Sequence, residues 1–251
     1  MEFNPTDRVY LCGRLVVLLG GERVEGRLPG RQGQVLFAAL ARHRGGGLSR
    51  EDLARVLWAE APPDAADSAL SALLSRLRRA VGPRRLDGRG HLRLELPRDT
   101  WVDLDAADEA LHRAESAVAR GAFTEAWSPA RVAVHVAARG FLTGAAGRWV
   151  EHERSAVARK RLRALEVYAE ACLALRGTEL ATAERAARTL VDLAPYRESG
   201  HRLLMRSLVA RGNPAEALLA YEELRRLLRT ALGVGPGVVT RRLHAEILAG
   251  R

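Results

Sequence analysis

Seven arginines, Arg76, Arg78, Arg79, Arg84, Arg85, Arg89 and Arg93, crowd into one short stretch whose single acid is Asp87, a local charge of +6. A guanidinium offers a planar fork of donors that matches a phosphate or the edge of a guanine, so this cluster has the chemistry of polyanion binding. The first hundred residues carry seventeen Arg and twelve Asp or Glu, +5 in all, so the surplus of that region sits in this stretch. A GC-rich coding sequence also favours Arg over Lys, and only Lys160 is a lysine here. A codon preference would spread the charge along the chain rather than gather it.

The element that carries the first three arginines reads "DSALSALLSRLRRAVG", Asp67 to Gly82. At helical spacing Leu70, Leu73, Leu74, Leu77 and Val81 form one apolar stripe. The opposite side holds Ser68, Ala72, Ser75, Arg76 and Arg79, with Ser71 and Arg78 on a flank. A solvated helix usually mixes acids with bases at i, i+4. This one shows small hydroxyls, which let a backbone approach, and guanidiniums, which reach phosphates and base edges. A solvated basic flank is the plain alternative.

The surrounding text supplies a frame. Residues 8–28 read as strands around a "GGE" turn at Gly20–Glu22. "GQVLFAALARH" (Gly33–His43) has helical period. "SRED" (Ser49–Asp52) is a capping box with Asp52 in the Glu position, opening a helix with Leu53, Val56 and Leu57 inward. After Pro62 and Pro63 comes the Asp67 helix. "RRLDGRGHLRLELP" then reads as a hairpin turning at Asp87-Gly88, with Leu92, Leu94 and Leu96 alternating with His91, Arg93 and Glu95. Strands, three helices and a basic hairpin make a winged helix-turn-helix, whose exposed helix enters a major groove while the wing lies on the backbone or in the minor groove.

From Asp103 onward no strand signal occurs. Helical text is punctuated at Gly121, Gly140, Gly177 and Gly212, and Arg148–Arg176 reads as one long helix or two. "GAFTEAWSPA" from Gly121 and "GNPAEALLAY" from Gly212 both place Ala five residues on, at Ala126 and Ala217. Ala183 precedes Ala217 by 34 residues, and Pro195 falls where a helix pair should end. A 34-residue period with a small residue at a helix crossing is the tetratricopeptide pattern.

Other chemistries find little support. Cys12 and Cys172 stand apart with no CxxC, which fits buried thiols in a reducing compartment. His135, His152, His201 and His244 lie on separate segments with no HExxH, so no metal is expected. No phosphate-cradle motif, GxSxG elbow or oriented nucleophile is present; Ser199 has no base assigned by sequence, and no catalytic residue or cofactor is expected. "ARKRLRAL" (Ala158–Leu165) is a second basic run, read as the polar side of a long helix or as a DNA-backbone or domain contact. Tyr221 and Trp127 are expected in helix-pair cores. "MEFNPTDRVYLCG" shows no signal peptide, and "LVVLL" (Leu15–Leu19) is too short to cross a bilayer, which points to the cytoplasm.

"LWAEAPPDAADSALSALLSRLRRAVG" (Leu57–Gly82) resembles the LWG-x-x-PP…SRLRR segment of the antibiotic-regulatory-type (SARP-like) transcriptional activators of actinobacteria. "FL" at Phe141–Leu142, "WVEHER" at Trp149–Arg154 and "APYRESGHRLLMRSLVARGNPAEALLAYEELRRLLRTALGVGP" (Ala194–Pro236) extend the resemblance over nearly the whole chain. It implies a mainly α protein: an OmpR-like α+β winged helix-turn-helix DNA-binding domain over 1–100, then an all-α tetratricopeptide-like bacterial transcriptional activation domain over 101–251. It further implies an activator that binds direct repeats in double-stranded DNA near promoters, with two protomers on DNA, and touches RNA polymerase.

By the same resemblance Ser68, Ser71, Ser75, Arg76, Arg78 and Arg79 fall on the recognition helix. Arg84, Arg85, Arg89, His91 and Arg93 fall on the wing, and Trp58 is a packing residue. The family's Gly-Tyr pair before the last wing strand is replaced here by His91-Leu92, and Gly237 stands where a Ser or Thr is usual. An alternative reading stays open: a repeat scaffold gripping a protein or peptide, with a winged helix that no longer reads DNA.

Overall fold

The computed structural model describes residues 7–59 and 61–250, so the first six residues of the amino-terminal stretch, and Glu60 within the Leu57–Gly82 motif, lie outside the described residues. The chain divides into two compact units: 1–106 with 136–158, and 107–135 with 159–251.

In the first unit, β1 (Arg8–Tyr10), β2 (Val16–Leu19) and β3 (Glu22–Arg23) form an antiparallel run. Gly20 and Gly21 join β2 to β3 with φ of 60° and 84°, the two left-handed residues that a tight hairpin turn requires. Three helices follow, α1 (Gly30–Arg42), α2 (Arg50–Trp58) and α3 (Ala66–Val81), with the short strand β4 (Leu48–Ser49) between the first two. The expected capping box opens α2: the Asp52 N–H donates to Ser49 Oγ at 3.0 Å, and the Ser49 N–H donates to Asp52 Oδ2 at 3.3 Å. The Ser49 hydroxyl also holds the Asp52 carboxyl below the usual carboxylate range. The three helices pack on one another, with Phe37, Leu40, Leu53, Leu70, Leu74 and Leu77 fully buried.

The hairpin is β5 (Leu86–Asp87) and β6 (His91–Leu94), and β6 also pairs with β4, giving a three-stranded wing. Leu92 and Leu94 point in while His91, Arg93 and Glu95 point out, as the alternation required. A last strand, β7 (Trp101–Val102), lies parallel to β1 and was not signalled by the sequence pattern. Two residues are too few to show a period of two.

Asp103, fully buried, begins α4 (Asp103–Ala119). Its carboxylate accepts the Leu11 N–H at 2.8 Å, the Cys12 N–H at 3.1 Å and Arg139 Nη2 at 3.0 Å. Burial nonetheless pushes its pKa above the ordinary Asp value, because these donors do not fully replace the lost water.

Two of the family-like motifs meet nearby. Arg154 of "WVEHER" donates to the carbonyls of Phe141, Leu142 and Ala145, and the Trp149 ring meets the buried Phe141 ring edge-on at 5.5 Å. Arg154 thus satisfies the backbone of the "FL" loop, where Leu142 takes a φ of 40°.

The second unit is helical. It takes in most of α4, α5 (Phe123–Ala138) and α6 (Arg148–Leu175), then α7 (Glu179–Leu193), α8 (Glu198–Ala210), α9 (Pro214–Leu232) and α10 (Val238–Leu248). Residues 148–175 are one helix. Ala126, Ala183 and Ala217 are fully buried, the crossing positions expected of small residues in stacked helices. Pro195 lies directly after the C-cap of α7, in the link to α8, where it stops α7.

Tyr221 is buried and stacks on His244 at 3.8 Å, and Trp127 packs against the main core. Both cysteines are buried and neither is in a disulfide; burial pushes the Cys172 thiol up to about 12. Among the described residues no helix is long and apolar enough to cross a membrane.

Two stability predictions follow from the buried carboxylates. Asp103→Ala leaves two buried N–H groups and Arg139 without their acceptor, and should lower unfolding free energy by about 2–4 kcal/mol in denaturant titrations. Glu184, buried on α7, is drawn below the usual carboxylate range: burial opposes this, but hydrogen bonds from Arg188 and Arg211 outweigh it. A lowered folded-state pKa gives stability that is present above the ordinary Glu value and is lost as pH falls through the lowered one. Glu184→Gln should therefore be less stable than the parent by about 1 kcal/mol at neutral pH, after allowance for the solvent-exposed arginines. That gap should close in acid, where the parent carboxyl is itself protonated.

Candidate nucleic-acid interface

The burial of α3 settles which residues face out. Leu70, Leu73, Leu74, Leu77 and Val81 are buried together with Ala80, which fixes the rotation of the helix about its axis. Ser68, Ser71, Ala72, Ser75, Arg76 and Arg79 are all exposed. Asp67 stays near the start of this surface but is neutralised. Arg50, the first residue of α2, donates to Asp67 Oδ1 at 2.7 Å and to Ser71 Oγ at 2.7 Å. Arg50 was not among the residues singled out from the sequence; only its place at the N-terminus of α2, opposite the first turn of α3, reveals its part. It pins the two helices of the helix-turn-helix and leaves the Ser71 hydroxyl its own proton to donate.

Two of the expected contact residues, both half-buried, make bonds within the fold. Arg78 spans from α3 to the wing hairpin, its Nε donating to the Leu86 carbonyl at 3.2 Å and its Nη2 to the Gly88 carbonyl. Arg85 forms an ion pair with Asp7, which is nearly fully buried and also accepts the Gly20 N–H at 2.7 Å. Both guanidiniums help to hold the wing in place: Arg78 fixes it to α3, and Arg85 fixes its base to the β2–β3 turn through Asp7. Sequence counting treats every arginine alike, because charge carries no record of which acceptors lie within reach.

The remaining cations face outward. Arg79, Arg84 and Arg89 are exposed and have no carboxylate within ion-pair distance among the described residues. Arg76 makes only a long bond to the Ala72 carbonyl of its own helix, 3.4 Å, and Arg93 faces Glu95 at 3.8 Å with both half exposed. His91 is exposed, but its Nε2 lies 2.7 Å from the Gly46 carbonyl, which ties the wing to the loop before β4. The hairpin turn itself depends on Gly88, whose φ is +87° and whose absent Cβ would meet the His91 carbonyl oxygen at 1.8 Å. The result is a surface with serine hydroxyls and two guanidiniums along a helix, flanked by three more guanidiniums on a ribbon.

The second basic run is differently placed. Lys160 pairs with Asp108, and Arg163 bonds Glu115 through two nitrogens at 2.9 and 2.7 Å, so these cations are matched by acids of α4. Ser199 Oγ donates to Glu166 as a helix-to-helix tie. Among the described residues no group of three His, Cys, Asp or Glu could hold a metal ion.

Residues 102–248 match the family model of the bacterial transcriptional activator domain. The chain is 32% identical to the regulatory protein AfsR of Streptomyces coelicolor over 86% of its own length and 22% of that protein's. It is 34% identical to the transcriptional regulator RedD of the same organism over 87% of its length and 65% of that protein's. The chain thus spans from about a fifth to under two thirds of these relatives. Its fold is that of Mycobacterium tuberculosis EmbR, solved in complex with a low-affinity phosphopeptide: TM-score 0.85 and 23% identity, covering all of this chain and 66% of the other. With a winged helix-turn-helix followed in sequence by helices that match this model, the chain belongs to the bacterial transcriptional activator domain family.

Proposed function

We propose that this protein is a sequence-specific DNA-binding regulator of transcription. α3 would lie in the major groove, with Ser68, Ser71, Ser75, Arg76 and Arg79 toward base edges and the adjoining phosphates. Arg84, Arg89 and Arg93 would follow the backbone. The observation that carries the reading is that Arg76, Arg79, Arg84 and Arg89 face outward with no ion-pair carboxylate among the described residues, the first two on a helix whose rotation is fixed by buried leucines. A solvated surface would be expected to pair such charges, as α6 does with α4. The names of its relatives, a regulatory protein and a transcriptional regulator, agree with this reading. The helical domain would then act as an activator's arm, touching RNA polymerase or a second protomer bound to an adjacent direct repeat. The cytoplasm is where such a protein would work.

The first test is a gel shift on the duplex that the intact protein selects from a random-sequence pool. Arg76→Ala with Arg79→Ala should abolish the selective shift while far-UV circular dichroism stays unchanged; selective binding that survives in this double variant would contradict the reading. The second test separates the outward from the inward arginines. Arg89→Ala should flatten the slope of log affinity against log salt by about 1 with base preference intact. Arg85→Ala should instead destabilise the fold by about 3 kcal/mol, because the buried Asp7 carboxylate loses its counter-charge.

A further inference from the structure

The second unit holds another set of unmatched cations, well separated in sequence from the winged helix. α5, α6 and α7 enclose a groove of about 420 Å³. Its rim carries Arg131 and His135 one turn apart on α5, Arg161 on α6 and Arg185 on α7. Its floor is apolar: Val134, Leu165, Ala186 and the Tyr168 ring. Among the described residues no carboxylate lines it. Arg131 lies over the Trp127 ring at 4.9 Å, and Arg185 donates to Thr182 Oγ1 at 3.0 Å, so both are held in place without being neutralised. Arg161 has its Nε buried with no hydrogen-bond partner among the described residues. Of the neighbouring cations on α6, Lys160 is matched by Asp108 and Arg163 by Glu115. The side of the helix toward α4 is therefore neutralised, and the side toward the groove is not.

We propose that this groove docks an acidic peptide segment of a protein partner, with an apolar side chain on the groove floor and carboxylates on either side of it on Arg131, Arg161 and Arg185. The combination selects the occupant. Oriented guanidiniums at low net neutralisation attract carboxylates, and charge complementarity of this kind fixes register and speeds encounter. A DNA backbone has phosphates too, but it has no apolar group to fill a recess floored by leucine, valine and tyrosine. The inference goes beyond DNA binding and does not depend on it, since none of its residues lies on α3 or the wing.

The test uses the full chain and a fluorescein-labelled peptide of repeated Asp-Leu-Glu triplets, read by fluorescence anisotropy. Saturable one-to-one binding is expected, and a peptide of Lys-Leu-Arg triplets should not bind. Arg131→Glu with Arg185→Glu should weaken the acidic peptide by about tenfold or more. Arg225→Glu with Arg226→Glu changes net charge equally on exposed positions of α9 and should leave affinity within about twofold, because distant surface charges are screened. Arg185→Gln alone should give an intermediate loss, and it keeps the test decisive if the double reversal proves unstable. Absence of binding, or equal weakening by the two double variants, would overturn the proposal. So would displacement of the peptide by non-specific duplex DNA through these same residues, which would make the groove a DNA-backbone contact.

Discussion

The leucine seam of α3 is the constraint on which the rest depends. Once Leu70, Leu73, Leu74 and Leu77 are inside, the helix cannot rotate without exposing them. Exposing even one buried leucine costs about 2 kcal/mol. The same burial therefore decides, with no further information, that serines and arginines look outward. The core chooses the angle of this surface, and the polar residues take what is left.

The arginines of the wing region divide by what lies within reach. Arg78 and Arg85 find acceptors in the fold, hairpin carbonyls for one and the buried Asp7 for the other. Of their outward neighbours, Arg79, Arg84 and Arg89 have no ion-pair partner among the described residues, and Arg93 reaches only the half-exposed Glu95. The division explains how a ribbon with two-residue and four-residue strands keeps a defined position. A two-stranded hairpin alone is marginal in water. This one is supported by β4 on its free edge, by two guanidiniums from behind and by the His91 tether at its tip.

Much of this was legible in the residues, and the reasons are specific. The α3 stripe is long enough for its period to be unambiguous. Ser49 and Asp52 sit three apart as a capping box demands, and Asp87-Gly88 occupies a turn that a side chain would block. The helical half showed itself through glycines at helix ends and the buried Ala183 and Ala217 one period apart. What stayed hidden depends on long-range partners. Asp103 looks like any residue opening a helix, yet it gathers backbone from Leu11 and Cys12, about ninety residues earlier. Arg78 and Arg85 carry the same side chain as Arg79 and Arg84, and only the fold assigns them to opposite tasks. Arg50 escaped notice because its partners, Asp67 and Ser71, lie across a turn.

The central claim, that the outer side of α3 is laid against duplex DNA, can be read by proximity. Cys12 and Cys172 are both buried, so a cysteine placed at the exposed Ala72 can be labelled selectively with an iron chelate that cuts nearby sugars. On the selected duplex, the account predicts strand cleavage confined to short clusters, recurring at the spacing of the bound half-sites and lost when unlabelled protein competes. Cleavage spread evenly along the duplex, or none at all from a protein that still binds, would show that α3 does not face the DNA.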